Sequence, residues 1–194
     1  MRLIRNILKL FTPNQEEDDE LNLVRLGDEL KHADMDYKFA QLFSHSGGIF
    51  SYCVDEAEAL GILNQIIKNE DLKSVFCCDE DLKNFLSVLN VPQSTELTLN
   101  NDAALITCEY LIAHNGSIML SYNNILHYHS SRLPKKVIIM ANVSQIVPDL
   151  NMAMMKIKRR KTMLKNLTSI SGSQSKLGGT EANHTKLFLL LLED

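Results

Sequence analysis

NDAALITCEYLIAHNGSIMLSY, residues 101–122, is the stretch around which the rest of this chain is organised. Tyr110–Ala113 and Ser117–Leu120 are apolar runs joined through His114-Asn115-Gly116. Asn-Gly supplies the positive φ angles that a tight turn needs, so two short strands meeting at a turn are expected here. Thr107, Glu109, His114, Asn115, Ser117 and Ser121 interrupt an otherwise core-forming segment. Polar residues in such positions either satisfy a plain hairpin and its turn or carry a site.

On the amino-terminal side, Ile49–Val54 reads as a strand and Asp55-Glu56-Ala57-Glu58 as a capping-box-like helix start. Leu60, Leu63 and Ile67 form the stripe of the helix that follows. Ser74–Cys77 is a second short strand, and Asp79 caps a helix with Leu82, Phe85, Leu86 and Leu89 on one face. Helices are expected over Leu21–Lys31 and Tyr37–Phe43, stopped by Gly47-Gly48, and residues 93–101 read as a polar, turn-rich connection. On the other side, Val137–Met140 is a continuous apolar run typical of a strand covered on both faces. Pro148-Asp149 opens a helix carrying Leu150, Ala153, Met154 and Ile157; Leu167–Ile170 is a short strand, and Lys186–Leu192 is a doubly buried one. Strand and helix alternating at this spacing define an α/β protein built on parallel βαβ units.

The 194 residues suffice to bury roughly 70% of the unfolded surface. Hydrophobic content of 45%, charged content of 23% and a net charge of −4 describe an ordinary globular protein with no global pull toward nucleic acid. Cys53, Cys77, Cys78 and Cys108 lack paired Cys-x-x-Cys spacing, and three sit in apolar runs. They read as reduced, buried thiols of a cytoplasmic protein rather than as ligands of an iron–sulfur cluster or a metal. No apolar run approaches the roughly 20 residues that span a bilayer. Residues 1–20 read as an amphipathic arm (Leu3, Ile4, Ile7, Leu8, Phe11) followed by the acidic linker Glu16–Glu20. Such an arm either docks on a partner or surface or packs on its own domain, taken as residues 21–194.

Ala104-Leu105-Ile106-Thr107, Leu111-Ile112-Ala113 and Asn115-Gly116-Ser117-Ile118-Met119-Leu120 together resemble the lactate-utilisation (LUD) domain. Its pattern there runs approximately G-I-T, a spacer, I-A-E-T-G-[ST] and an apolar strand. The resemblance continues at Leu133-Pro134, Val137–Met140, Gln145-Ile146-Val147-Pro148 and Ile170-Ser171-Gly172. It implies a three-layer α/β/α fold with a mostly parallel sheet, shared with CoA transferases and sugar-phosphate isomerases. Departures are specific. His114-Asn115 replace the family's Glu-Thr, and Ser173–Gly179 replace Pro-Ser and a following Asp-Ile-Glu; a Gly-Pro step is missing near His184-Thr185.

Two loops have the composition of an anion cradle: Ser171–Lys176, with hydroxyls, flexible N–H groups and a cation, and Ser44–Gly48. The ligand-binding candidates are therefore Thr107, Asn115, Gly116, Ser117, Ser171, Gly172, Ser173 and Lys176, with Glu109 and His114 as weak catalytic candidates. The hairpin is expected inside the parallel sheet, its turn facing the same cleft as the bend near residue 172, and loops after Ile49–Val54 and Leu167–Ile170 are expected at the sheet's carboxyl edge. His127-Tyr128-His129 reads as exposed loop histidines, since metal ligation needs a third ligand. Lys156–Lys161 reads as a solvated helix end or as a dock for an acidic partner.

By resemblance, the chain is expected to be an accessory subunit of a system oxidising lactate to pyruvate, with iron–sulfur clusters only in partner subunits and no cofactor in this chain. It would bind a small carboxylate or phosphate. The competing readings are a CoA transferase- or isomerase-like enzyme using Glu109 or His114, and a non-catalytic scaffold.

Overall fold

A computed structural model describes residues 26, 30, 32–160, 164–171 and 185–194. The amphipathic arm, most of the helix expected over Leu21–Lys31, and Gly172, Ser173 and Lys176 lie outside them. The first described helix, α1 (Met35–His45), leads into β1 (Ile49–Cys53). Next come α2 (Glu56–Asn69), β2 (Val75–Phe76), α3 (Glu80–Val88), β3 (Gln93–Ser94) and β4 (Ala103–Ile106). The hairpin is β5 (Tyr110–Ile112) and β6 (Ser117–Leu120), followed by the single turn α4 (Tyr122–Ile125). The chain closes with β7 (Lys136–Asn142), β8 (Ile146–Val147), α5 (Leu150–Arg159), β9 (Thr168–Ile170) and β10 (Lys186–Leu192).

The helix starts follow the capping chemistry of the sequence. Asp55 accepts the Glu58 N–H at 2.8 Å while the Glu58 carboxylate accepts the Val54 N–H at 2.9 Å. Asp79 accepts from Asp81 and Leu82, and Asp149 from Met152. Each satisfies amide donors that the first helical turn leaves without an intrahelical partner.

Six strands form a wholly parallel sheet in the order β1-β10-β7-β4-β2-β3. Alternation of side chains sends Val137, Ile139, Ala141, Leu187, Leu189 and Leu191 into one core. Ile138, Met140, Phe188 and Leu190 enter the other, where Ala59, Leu63, Ile66 and Leu86 of α2 and α3 cover them. Burial on both faces is why these strands read as unbroken apolar runs.

A correction concerns the hairpin. It lies outside the parallel sheet, in a second sheet of order β8-β5-β6-β9, where β6 is antiparallel to both neighbours. Leu111, Ile118 and Leu120 face the main sheet together with Phe39 and Phe43 of α1, while Tyr110, Ile112 and Met119 face Ala153 and Ile157 of α5. The order is thus helices, parallel sheet, then a mixed layer of α1 and the small sheet backed by α5, in keeping with the expected three-layer α/β/α class. Thr168–Ile170 is an antiparallel strand of the small sheet, so the carboxyl-edge rule does not govern the loop after it. β3 forms within the connection whose sequence reads as turn-rich, and β8 in a segment to which the sequence assigns no element.

Hydrophobicity alone cannot set the register of β10, because a leucine run buried on both faces tolerates a one-residue slip. Polar contacts at its ends do so. Lys186 pairs with Glu70, which also takes Lys136 at 3.3 Å. At the other end the Glu193 N–H donates to the Cys53 carbonyl at 3.0 Å, and Asp194 accepts from the backbone and hydroxyl of Ser144, both at 2.7 Å.

Candidate functional site

In an open parallel sheet, ligand sites fall at the carboxyl edge where the strand order reverses. From β2 the chain moves outward to β3, and from β4 it moves the other way, to β7, so the reversal lies between β2 and β4. The residues just past these two strands meet there. Asn124 of α4 donates through Nδ2 to Thr107 Oγ1 at 3.0 Å, and its carbonyl accepts from the Cys78 thiol at 3.1 Å. Asn124 Oδ1 also accepts the Ser121 N–H at 2.7 Å, closing the cap of α4.

Ser121, wholly buried, donates through its hydroxyl to Glu109 Oε1 at 2.5 Å. Glu109 Oε2 accepts from Arg160 Nη1 at 2.6 Å, and Arg160 Nη2 donates to the Tyr110 hydroxyl at 2.8 Å. The guanidinium lies 5.1 Å from the centroid of the Tyr110 ring, a cation–π arrangement. Both carboxylate oxygens of Glu109 are therefore occupied by protein groups. To act as base or nucleophile, Glu109 would have to release one of them, and the Arg160 bond draws electron density away from the attacking oxygen.

The turn end of the hairpin is different. Ile112 pairs with Ser117, leaving Ala113-His114-Asn115-Gly116 as a four-residue connection. Of these only Gly116 has a positive φ, +67°. Asn115 contributes its side chain instead: Oδ1 accepts the Ser117 N–H at 3.1 Å and the Ser117 hydroxyl at 2.7 Å. A Cβ on Gly116 would lie 2.6 Å from the backbone nitrogen of Phe43 and 2.7 Å from the Leu42 carbonyl carbon. The turn thus presses against the last turns of α1, just before the Ser44–Gly48 loop. Because Ile118 pairs with Ile170, Ser171 continues β9 toward the Ser117 end of the sheet.

The expected site residues consequently separate into two groups. Thr107 and Glu109 belong to the switch-point cluster, and His114, Asn115, Gly116, Ser117 and Ser171 to the turn end. Glu109 immediately precedes β5 and His114 lies in the turn beyond its far end, so the two sit at opposite ends of the strand. Ser121, Asn124 and Arg160 complete the first cluster; Ser121 stands out in the sequence only as a polar insertion, and Asn124 and Arg160 are not among the sequence candidates. Ser121-x-x-Asn124 is a capping-box spacing that could have pointed to two of them. Arg160, distant in sequence and part of a basic run, gave no local signal.

Other candidates have structural partners. His129 Nδ1 caps Ser130–Arg132, accepting the Ser131 N–H at 3.3 Å. The Tyr128 hydroxyl accepts from the Leu97 N–H, and its ring stands edge-on to Phe76. Among the described residues, no cluster of three or more His, Cys, Asp or Glu is placed to hold a metal ion, and no helix is long and apolar enough to cross a membrane. Cys53, Cys77 and Cys108 are buried; burial pushes the first two thiols up to about 12 and also raises that of Cys108. An open depression of about 420 Å³ lies at the exposed edge by β3, lined by Lys83, Gln93, Ser94, Thr95 and Glu96. It touches neither group of site residues.

The fold and the switch-point cluster define a parallel α/β protein with a polar centre at the reversal of its strand order. Residues 92–183 match the family model described as the LUD domain, which bears out the resemblance over the half of the chain containing both groups. A solved structure, that of a DUF162 family protein from Deinococcus radiodurans, is similar in fold, with a TM-score of 0.62 and 19% identity over 84% of this chain and 98% of that one. No curated protein matches the chain.

Proposed function

We propose that this protein takes part in lactate utilisation as an accessory subunit in the oxidation of lactate to pyruvate, beside partner subunits that carry iron–sulfur clusters. The observation that carries this reading is the LUD domain match over residues 92–183. In this reading a small carboxylate or phosphate binds where Asn115, Gly116 and Ser117 adjoin Ser171, and Gly172, Ser173 and Lys176, which lie outside the described residues, are the further residues that the sequence assigns to it.

Purification of the native protein with its partners, followed by iron and labile-sulfide analysis, tests the first part. Recovery of the chain alone, without iron-containing subunits, would sink it. Calorimetry with L-lactate, pyruvate and inorganic phosphate tests the second. Ser171→Ala with Ser173→Ala is expected to weaken binding by about ten-fold, and unchanged affinity removes this loop from the site.

One observation favours a second reading. Glu109 is a buried carboxylate beside the topological switch point, where an acyl- or phosphosugar-converting enzyme of this fold class would place a base or nucleophile. Turnover of acyl-CoA or phosphorylated sugars that disappears in Glu109→Gln would support it; inactivity of the wild-type chain toward both classes would remove it.

A further inference from the structure

The turn that follows α4 puts leucine where the backbone calls for glycine. The Tyr128 N–H donates to the Ile125 carbonyl at 3.2 Å, closing a β-turn over Leu126 and His127. Leu126, its second residue, has φ +53° and ψ −140°, close to the conformation that a type II′ turn reserves for glycine. Among the described residues, the other non-glycines with positive φ are Asp71, Asn90 and Asn166, types whose short polar side chains tolerate it. Leucine is not one of these, and its Cβ crowds the backbone there. Packing does not compensate. Among the described residues, Leu126 is only half-buried and belongs to none of the three apolar clusters.

The turn places Tyr128. Its hydroxyl accepts the Leu97 N–H at 3.2 Å, its ring stands edge-on to Phe76 at the end of β2, and the His127 ring lies 4.2 Å from it. The segment starts at Asn124, which bonds to Thr107 just past β4 and to Cys78 just past β2. It ends on Leu97, just past β3. It therefore crosses the carboxyl ends of β4, β2 and β3, over the crevice where the strand order reverses. Both ends are fixed: Ile125 is buried in the core, and His129 caps the turn Ser130–Arg132. Between these anchors the bond from Leu97 holds Tyr128 down against the strain at Leu126.

We propose that Leu126–Tyr128 form a strap over the switch-point crevice, strained when closed and poised to open at the Leu97–Tyr128 bond. Strain in the closed state narrows its advantage over the open one, so the strap moves without unfolding the sheet beneath it. Opening uncovers the edge of the Phe76 ring and frees the Leu97 N–H at the carboxyl edge, where parallel sheets bind ligands. Glycine at position 126 would hold the strap shut; leucine leaves it movable.

Amide-resolved hydrogen exchange of the full chain tests this without any ligand, and so independently of either proposed function. The Leu97 amide is expected to exchange at least about a hundred-fold faster than that of Leu189, buried in the centre of β10. Leu126→Gly relieves the strain and should slow exchange at Leu97 by about ten-fold, even allowing for glycine's extra freedom in the open state. Leu126→Ile keeps the side-chain volume, but a β-branched residue tolerates positive φ less well, and exchange should speed up by about five-fold. The Thr98 amide, bonded to Asn101 at 2.7 Å in the same loop, should follow neither change. A leucine that merely packs would reverse the glycine result, and that reversal overturns the proposal. So would equal shifts at Leu97 and Thr98, exchange at Leu97 as slow as at Leu189, or no response to either variant.

Discussion

The two ends of one hairpin use polar residues for opposite purposes. At its base, Glu109, Ser121, Asn124 and Thr107 are drawn into a buried network that Arg160 closes from just past the end of α5, 51 residues after Glu109. At its tip, Asn115 and Ser117 bond to each other, and Gly116 meets α1 through its backbone alone. The base ties three elements together with side chains. The tip docks by having none. Similar residue types in one short stretch thus stabilise the protein by different physics, and substitutions should separate them.

The largest loss is expected at the tip. Gly116→Ala must accommodate a Cβ 2.6 Å from a backbone nitrogen, at a φ that L residues rarely adopt. Neither α1 nor the turn can yield cheaply, so a cost of about 3 kcal/mol is expected, read as a lower midpoint in urea unfolding. A cost of only a few tenths would show that the turn does not bear on α1. At the base, Glu109→Ala should cost about 2 kcal/mol, through the lost acceptor of Ser121 and the cavity left behind. The Arg160 side chain is 38% exposed and regains water, which keeps the loss below that of a wholly buried pair. A double-mutant cycle with Arg160→Met should return a coupling of about 1 kcal/mol; additive effects would mean the pair contributes nothing of its own.

These expectations bear on what could be read from the chain alone. The parallel sheet was legible because Val137–Met140 and Leu187–Leu192 are continuous apolar runs, and Asp55, Asp79 and Asp149 announce their helices locally. The hairpin itself was equally plain. Its placement was not, because Leu111, Ile112, Ile118 and Met119 are apolar toward both faces, as a strand inside the main sheet would also be. Buried between the main sheet and α5, the small sheet carries no polar face to betray it. The site was less legible still. Glu109 and Ser121 stood out as polar insertions, but the cation that fixes Glu109 is 51 residues away, within a run whose charge suggested only a solvated helix end.

A smaller effect sharpens the contrast at the tip. Asn115→Ala removes the acceptor of the Ser117 hydroxyl and N–H, at an exposed position where water substitutes in part; about 1 kcal/mol is expected in thermal unfolding. Asn115→Asp keeps the acceptor and should stay within about 0.5 kcal/mol of the parent. If the two variants fall together, the side-chain bonds do not hold the tip and Gly116 alone does.

The smallest effect extends the same question to β10, whose leucines do not fix its register. There the ends must do so, and Glu70 is the carboxylate that gathers Lys186 and Lys136 at the amino edge. The Lys186 bond is the main cause that holds the Glu70 carboxyl below its ordinary value of 4.5, with Lys136 adding to it against the opposing effect of burial. A carboxylate whose pKa is lower in the folded state contributes stability that is fully present above the unfolded value and is lost as pH falls through the folded one. The clasp should therefore be intact above about pH 5 and fade below about pH 4. Glu70→Gln should cost under about 1 kcal/mol at neutral pH, because all three groups retain contact with water, and nothing at low pH, where the parent has lost the same charge. Parent and variant stability curves are thus expected to converge on acidification. Curves that remain parallel would leave the leucine strand without an electrostatic anchor and return its register to side-chain shape alone.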